Sequence, residues 1–174
     1  MTQYDASTAK CLVYSYKEGL LSKIAHDLRH KVTAFTVDLD HNQHLVTAEL
    51  DARSLRVDCV MKEGSEAPGT LGDDDKRKIE GQIVEDVLHA NDFPVIRYQS
   101  MSVRENDQGY EVDGMLHLHG VERPVNALAR RENGHYVADF KIHQPDFGIK
   151  PFSAMMGTLK IRPDLIVHIE VPAA

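Results

Sequence analysis

Tryptophan is absent from this chain, aromatic residues amount to 6%, and cysteine occurs only twice, at Cys11 and Cys59. Two distant cysteines with no CxxC spacing exclude a disulfide framework and argue against a thiolate zinc site, so both read as reduced, partly buried thiols. No stretch approaches the roughly 20 apolar residues of a membrane-spanning helix. The opening MTQYDASTAK also lacks the apolar run of an export signal, so the expected location is the cytoplasm. Basic residues are in deficit, 20 against 27 acidic for a formal net charge of −7. That leaves no basic field for nucleic acid or an anionic membrane surface. GxGxxG, Walker A and GxSxG sequences are missing too, and with them the common signatures of dinucleotide, phosphate and acyl-transfer chemistry. Nor is there a linker, a repeat or a low-complexity tract within the 174 residues. One domain over residues 1–174 is expected, long enough to bury a core.

What is present is alternation. In GMLHLHGVERPV, residues 114 to 125, Gly114, Leu116 and Leu118 share one parity with Tyr110 and Val112, opposite Glu111, Asp113, Met115, His117 and His119. This is the pattern of a half-buried strand. PVIRYQSMSV ahead of it, across the turn cluster ENDQG, completes a hairpin, and RPVNALAR with HYVADFKIH flanks an Asn-Gly turn at Asn133 and Gly134 to make another. KVTAFTVDLD and HLVTAELDA form a third around HNQ. A first strand in AKCLVYSY and a last in DLIVHIEV bring the expected number to about eight. Eight antiparallel strands with one apolar face each are most economically closed into a barrel, because closure removes unpaired edges.

One segment has helical spacing instead. In DDDKRKIEGQIVEDVLHA, about residues 74 to 88, Ile79, Ile83, Val84, Val87 and Leu88 line one stripe, with Asp73 as a cap and Asp74 and Asp75 in the first turn. A shorter helical turn is expected near 19–30. There AHDLRH places His26 and His30 four apart with Asp27 beside the first, an echo of the zincin HExxH arrangement. Asp27 is a methylene short of glutamate and no third ligand stands out, so capping or packing is the better reading. A metal-dependent enzyme using His26, Asp27 and His30 stays as an alternative. His117 and His119 lie on the polar parity with Glu111 and Asp113 and read as a solvated face.

Three pieces in order, FPVIRYQS (93 to 100), LHGVERPV (118 to 125) and QPDFGIKPF (144 to 152), behind the amphipathic helix, resemble the YceI-like family of lipocalin-like, polyisoprenoid-binding barrels. GLLSKIAHDLRHKVTAF adds weaker similarity, so the resemblance spans nearly the whole chain. It implies a mainly β fold, a single antiparallel lipocalin-like barrel, around a tunnel for an isoprenoid, isoprenoid quinone or fatty acyl amphiphile. Such a tunnel needs no catalytic constellation, and no cofactor or metal is expected. By alternation the candidate walls of such a tunnel are Phe35, Val37, Leu39, Val46, Ala48, Leu50, Ile96, Tyr98, Leu116, Leu118, Phe140, Ile142, Leu165 and Val167. His119 and Gly120 would form the turn after the strand, with glycine accepting unusual backbone angles. A homodimer is compatible with this reading, and a filled barrel acting as an interaction or stress-response module is its second alternative.

Overall fold

The computed structural model describes residues 1–19 and 25–173. Their strands are β1 (Thr2–Asp5), β2 (Lys10–Ser15), β3 (Asp27–Val32), β4 (Phe35–Asp40), β5 (Leu45–Asp51), β6 (Leu55–Lys62), β7 (Ser65–Ala67), β8 (Val95–Asn106), β9 (Gly109–Leu118), β10 (Val121–Glu132), β11 (His135–His143), β12 (Ser153–Ala154), β13 (Leu159–Lys160) and β14 (Asp164–Pro172). One helix, α1 (Asp73–Gln82), precedes β8. The expected mainly β antiparallel fold is present, but the main sheet has 12 strands rather than eight, in the order β1-β4-β5-β8-β9-β10-β11-β14-β2-β3-β6-β7. β12 and β13 pair as a separate small hairpin.

The strands beyond the expected eight are β1, β3, β6 and β7. Two of them arise because long strands bend. β3 runs on into β4, and β5 into β6, yet β3 and β6 pair with each other at one end of the sheet while β4 and β5 pair near the other. This bent hairpin closes the barrel, since the terminal strands β1 and β7 do not pair. Inward parity changes at each bend, from Val32 to Phe35 and from Leu50 to Leu55, because a sharp bend shifts the pleat by one residue. Ser54 holds the corner. Its Oγ accepts from the Ala34 N–H at 3.1 Å and donates to the Asp51 carbonyl at 2.8 Å, and its own carbonyl accepts from the Thr33 hydroxyl at 2.9 Å. Asp27–His30, expected in a helical turn, lies in β3. The rest of that expectation, residues 20–24, falls outside the described residues.

Gly72 rather than Asp73 takes the cap position of α1, so Asp73, Asp74 and Asp75 all occupy the first turn, where the helix dipole favours carboxylates. Ile79 packs with Leu28, Val57 and Val60 on β3 and β6. Glu80 Oε1 accepts from the Val57 N–H at 2.9 Å, and Lys76 Nζ donates to the Asp58 carbonyl at 3.0 Å. The chain then widens into a π turn, Ile83–Val87, with the Leu88 N–H donating to the Ile83 carbonyl at 2.8 Å. The wider turn brings Leu88 round to the side of Ile83 and Val87, and Val87 and Leu88 pack against the β8–β10 cluster around Leu116, Leu118 and Val125. The helix thereby straddles the seam between β6 and β8.

Candidate functional site

The inward faces enclose a cavity of about 940 Å³, at the upper end of the roughly 300–1,000 Å³ usual for small-molecule sites. It extends from His41 and His44, at the β4–β5 turn, to Phe152 and Met155 beside the β12–β13 hairpin. Every candidate wall residue named above lines it except Phe35. Phe35, 7% exposed, packs in a cluster with Tyr4, Ala9, Cys11, Val32 and Val171 under the N-terminal strand, and of these Cys11, Val32 and Val171 also border the cavity. Phe35 shares the parity of Val37 and Leu39 on β4, and β1 with the turn after it lays Tyr4 and Ala9 against it. The wall also includes parts that alternation did not offer: Ile79, Ile83 and Leu88 on the helical segment, and Ala154, Leu159 and Ile161 around the small hairpin. The helical stripe was visible as apolar in the sequence, yet nothing there told that it faced a void rather than a filled core.

Space within the wall depends on close approaches. A Cβ on Gly114 would lie 2.4 Å from the Tyr98 ring, so the bare glycine makes room for the end of that ring against β9. The Tyr98 hydroxyl donates to the Val125 carbonyl at 3.4 Å, and burial pushes its pKa up to about 12, so the phenol stays neutral. Ser100 is buried with its Oγ accepting from the Val46 N–H at 2.8 Å, and Gln144 donates to the Arg162 carbonyl at 3.1 Å. On the β2–β3 side Ser15 Oγ lies 2.9 Å from His30 Nε2, both side chains buried. Burial pushes the His30 pKa down to about 4. A serine beside a histidine is the geometry of an activated nucleophile, but a ring this hard to protonate is a weak general base.

The other histidines separate cleanly. His26 lines the cavity, whereas the Asp27 carboxylate accepts from the Lys17 N–H at 2.8 Å, so the three residues of the zincin echo do not converge. No group of three metal-capable side chains occurs among the described residues. His117 points outward beside Arg97 and Glu122. His119 has φ 54° and Gly120 φ 74°, the left-handed pair of a tight β9–β10 turn. The His119 ring packs against Phe93 at 4.5 Å between centroids, and its Nδ1 donates to the Phe147 carbonyl at 3.1 Å. These two contacts fix the ring at the turn.

An antiparallel barrel with an apolar bore and a helix over its seam is lipocalin-like in architecture. Within it, the YceI-like domain model matches residues 5–173, and the chain belongs to that family. Among solved structures, Burkholderia cenocepacia BcnA superposes with a TM-score of 0.66 at 15% identity, covering 98% of this chain and 99% of that one. The Campylobacter jejuni YceI protein superposes with a TM-score of 0.50 at 13% identity, covering 90% and 94%. These likenesses extend to the fold. A search of curated protein sequences returned no match. No helix among the described residues is long and apolar enough to cross a membrane.

Proposed function

We propose that the protein binds one long apolar chain, an isoprenoid, an isoprenoid quinone or a fatty acyl amphiphile, inside the barrel, and that it does so without catalysing a reaction on it. The observation that carries this reading is the 940 Å³ cavity walled by the inward parity of the sheet and by the helical stripe. Each methylene moved from water into such a wall contributes on the order of 0.8 kcal/mol, so length and apolar surface suffice for tight binding with few fixed polar contacts. Among the described residues the neutral serine–histidine pair has no carboxylate on its free ring nitrogen, which favours a holding role over hydrolysis.

Native mass spectrometry of the purified protein, followed by organic extraction, tests the reading. A stoichiometric prenyl or acyl species released from the protein is the expected result. A bare mass that takes up no added prenyl or acyl lipid overturns it in favour of an interaction module, and turnover of an added prenyl or acyl ester by the Ser15–His30 pair overturns the non-catalytic part.

A further inference from the structure

Two buried side-chain nitrogens lack a hydrogen-bond partner among the described residues, Nδ1 of His30 and Nε2 of His119. They differ in where they sit. His119 is outside the cavity wall, its ring held by Phe93 and by the Phe147 carbonyl. His30 is in the wall, 3% exposed, on the inward face of β3 between Leu28 and Val32. Leaving a polar atom unpaired in an apolar setting costs about 1–3 kcal/mol, and an aliphatic side chain at position 30 would avoid that cost.

We propose that His30 Nδ1 is the polar contact for the head group of the bound chain, and that the head group is a single uncharged oxygen, hydroxyl or carbonyl. This inference rests on the chain-binding reading above. The Ser15 hydroxyl makes the contact adaptable. When Ser15 Oγ–H donates to Nε2, the ring proton sits on Nδ1 and is offered to a carbonyl. When Nε2–H donates to Ser15 Oγ, Nδ1 is bare and accepts from a hydroxyl. A rotation of one hydroxyl and a change of tautomer therefore fit the same pocket to an oxidised and a reduced form of one ring oxygen. Nδ1 itself is covered, so the contact requires a small turn about χ2, a broad torsion for histidine, that brings Nδ1 to the bore while Nε2 stays within reach of Ser15 Oγ.

The charges around the bore oppose an anionic head. Among the described wall residues Lys78 is the only lysine or arginine, against the carboxylates of Asp40, Asp51, Asp75 and Glu105. A phosphate drawn inside would meet a neutral imidazole and an excess of negative charge. The ring's resistance to protonation, from burial alone, agrees with a neutral partner.

The test compares geranylgeraniol with phytane, a hydrocarbon of the same carbon count, on wild-type protein and on His30→Leu. Wild type is expected to prefer the alcohol, and His30→Leu to lower the ratio of alcohol to hydrocarbon affinity by about ten-fold while binding phytane as well or better. Nitrogen-15 resonances of the wild-type His30 ring are expected to shift on saturation with geranylgeraniol, a readout that does not depend on the variant folding. An unchanged affinity ratio in folded His30→Leu, or ring resonances that ignore the alcohol, would overturn the anchor and leave chain binding standing. Failure of both probes to bind wild-type protein would overturn the chain-binding reading and the anchor with it.

Discussion

Two regions of this barrel have the same inward alternation and opposite interiors. Under β1, the side chains of Tyr4, Ala9 and Phe35 close on one another clear of the bore, while Cys11, Val32 and Val171 of the same cluster form its boundary. Further along, Tyr98, Leu116, Phe140 and Val167 stand on equivalent faces of their strands and enclose space. The difference is made by what the chain lays across each face. β1 pairs with β4 and, with the turn after it, delivers Tyr4 and Ala9 into the first region, whereas the second is bridged by α1 and the π turn, which span the gap without filling it. Alternation decides which way a side chain points, and coverage decides whether it meets another.

The same truncation made in both regions should expose this contrast most strongly. Phe35→Ala is expected to cost about 4 kcal/mol in urea unfolding, because it empties a packed site, whereas Phe140→Ala, whose ring already borders a void, should cost about half as much and weaken lipid uptake instead. Equal losses at the two sites would erase the distinction. Next in size is acid sensitivity. His30 has a folded pKa of about 4 against an ordinary value of 6.5. The unfolded chain therefore binds a proton first, and the stability contributed by the neutral ring is full above about pH 6.5 and lost as pH falls toward 4, by about 3 kcal/mol in all. Unfolding curves across that range should show the slope in wild type and lose it in His30→Leu. A persistent slope would assign the acid sensitivity elsewhere.

Smaller effects are expected where neither interior is touched. Ser54→Ala removes bonds that tie the corner to Ala34 and Asp51, and should lower stability by about 1–2 kcal/mol with chain binding reduced only as far as the corner loosens. His117→Ala, on the outer face, should stay within about 0.5 kcal/mol of wild type and bind unchanged. Loss of binding in that folded variant would reverse the assignment of faces on β9.

Much of this architecture is legible in the residues. The hairpins around ENDQG and Asn133-Gly134 and the wall positions on β5, β8, β9, β11 and β14 follow from a period of two and from turn chemistry. The bends are less visible but do leave a mark: inward residues switch from even to odd numbers between Val32 and Phe35, and a strict reading of parity through KVTAF would have placed a corner there. Asp27–His30 carries too short an alternation to distinguish a strand from a helical turn, and pairing with β2 and β6 decides it. Phe35 shows the limit, since no local pattern records that an N-terminal strand folds across it. The spacing of His30 from His26 is a helical signal, whereas its place in the wall comes from the strand that sets it beside Ser15.

The corner at Ser54 has a mechanical consequence. In a barrel sealed by a continuous ladder, a wider bore requires strands to part and hydrogen bonds to break. Here the ends of the sheet never join, and the circumference is completed by two bent strands and a helix resting on side chains. The circumference is therefore set at a corner, through Ser54 and its bonds to Ala34 and Asp51, and not by a pairing of sheet edges.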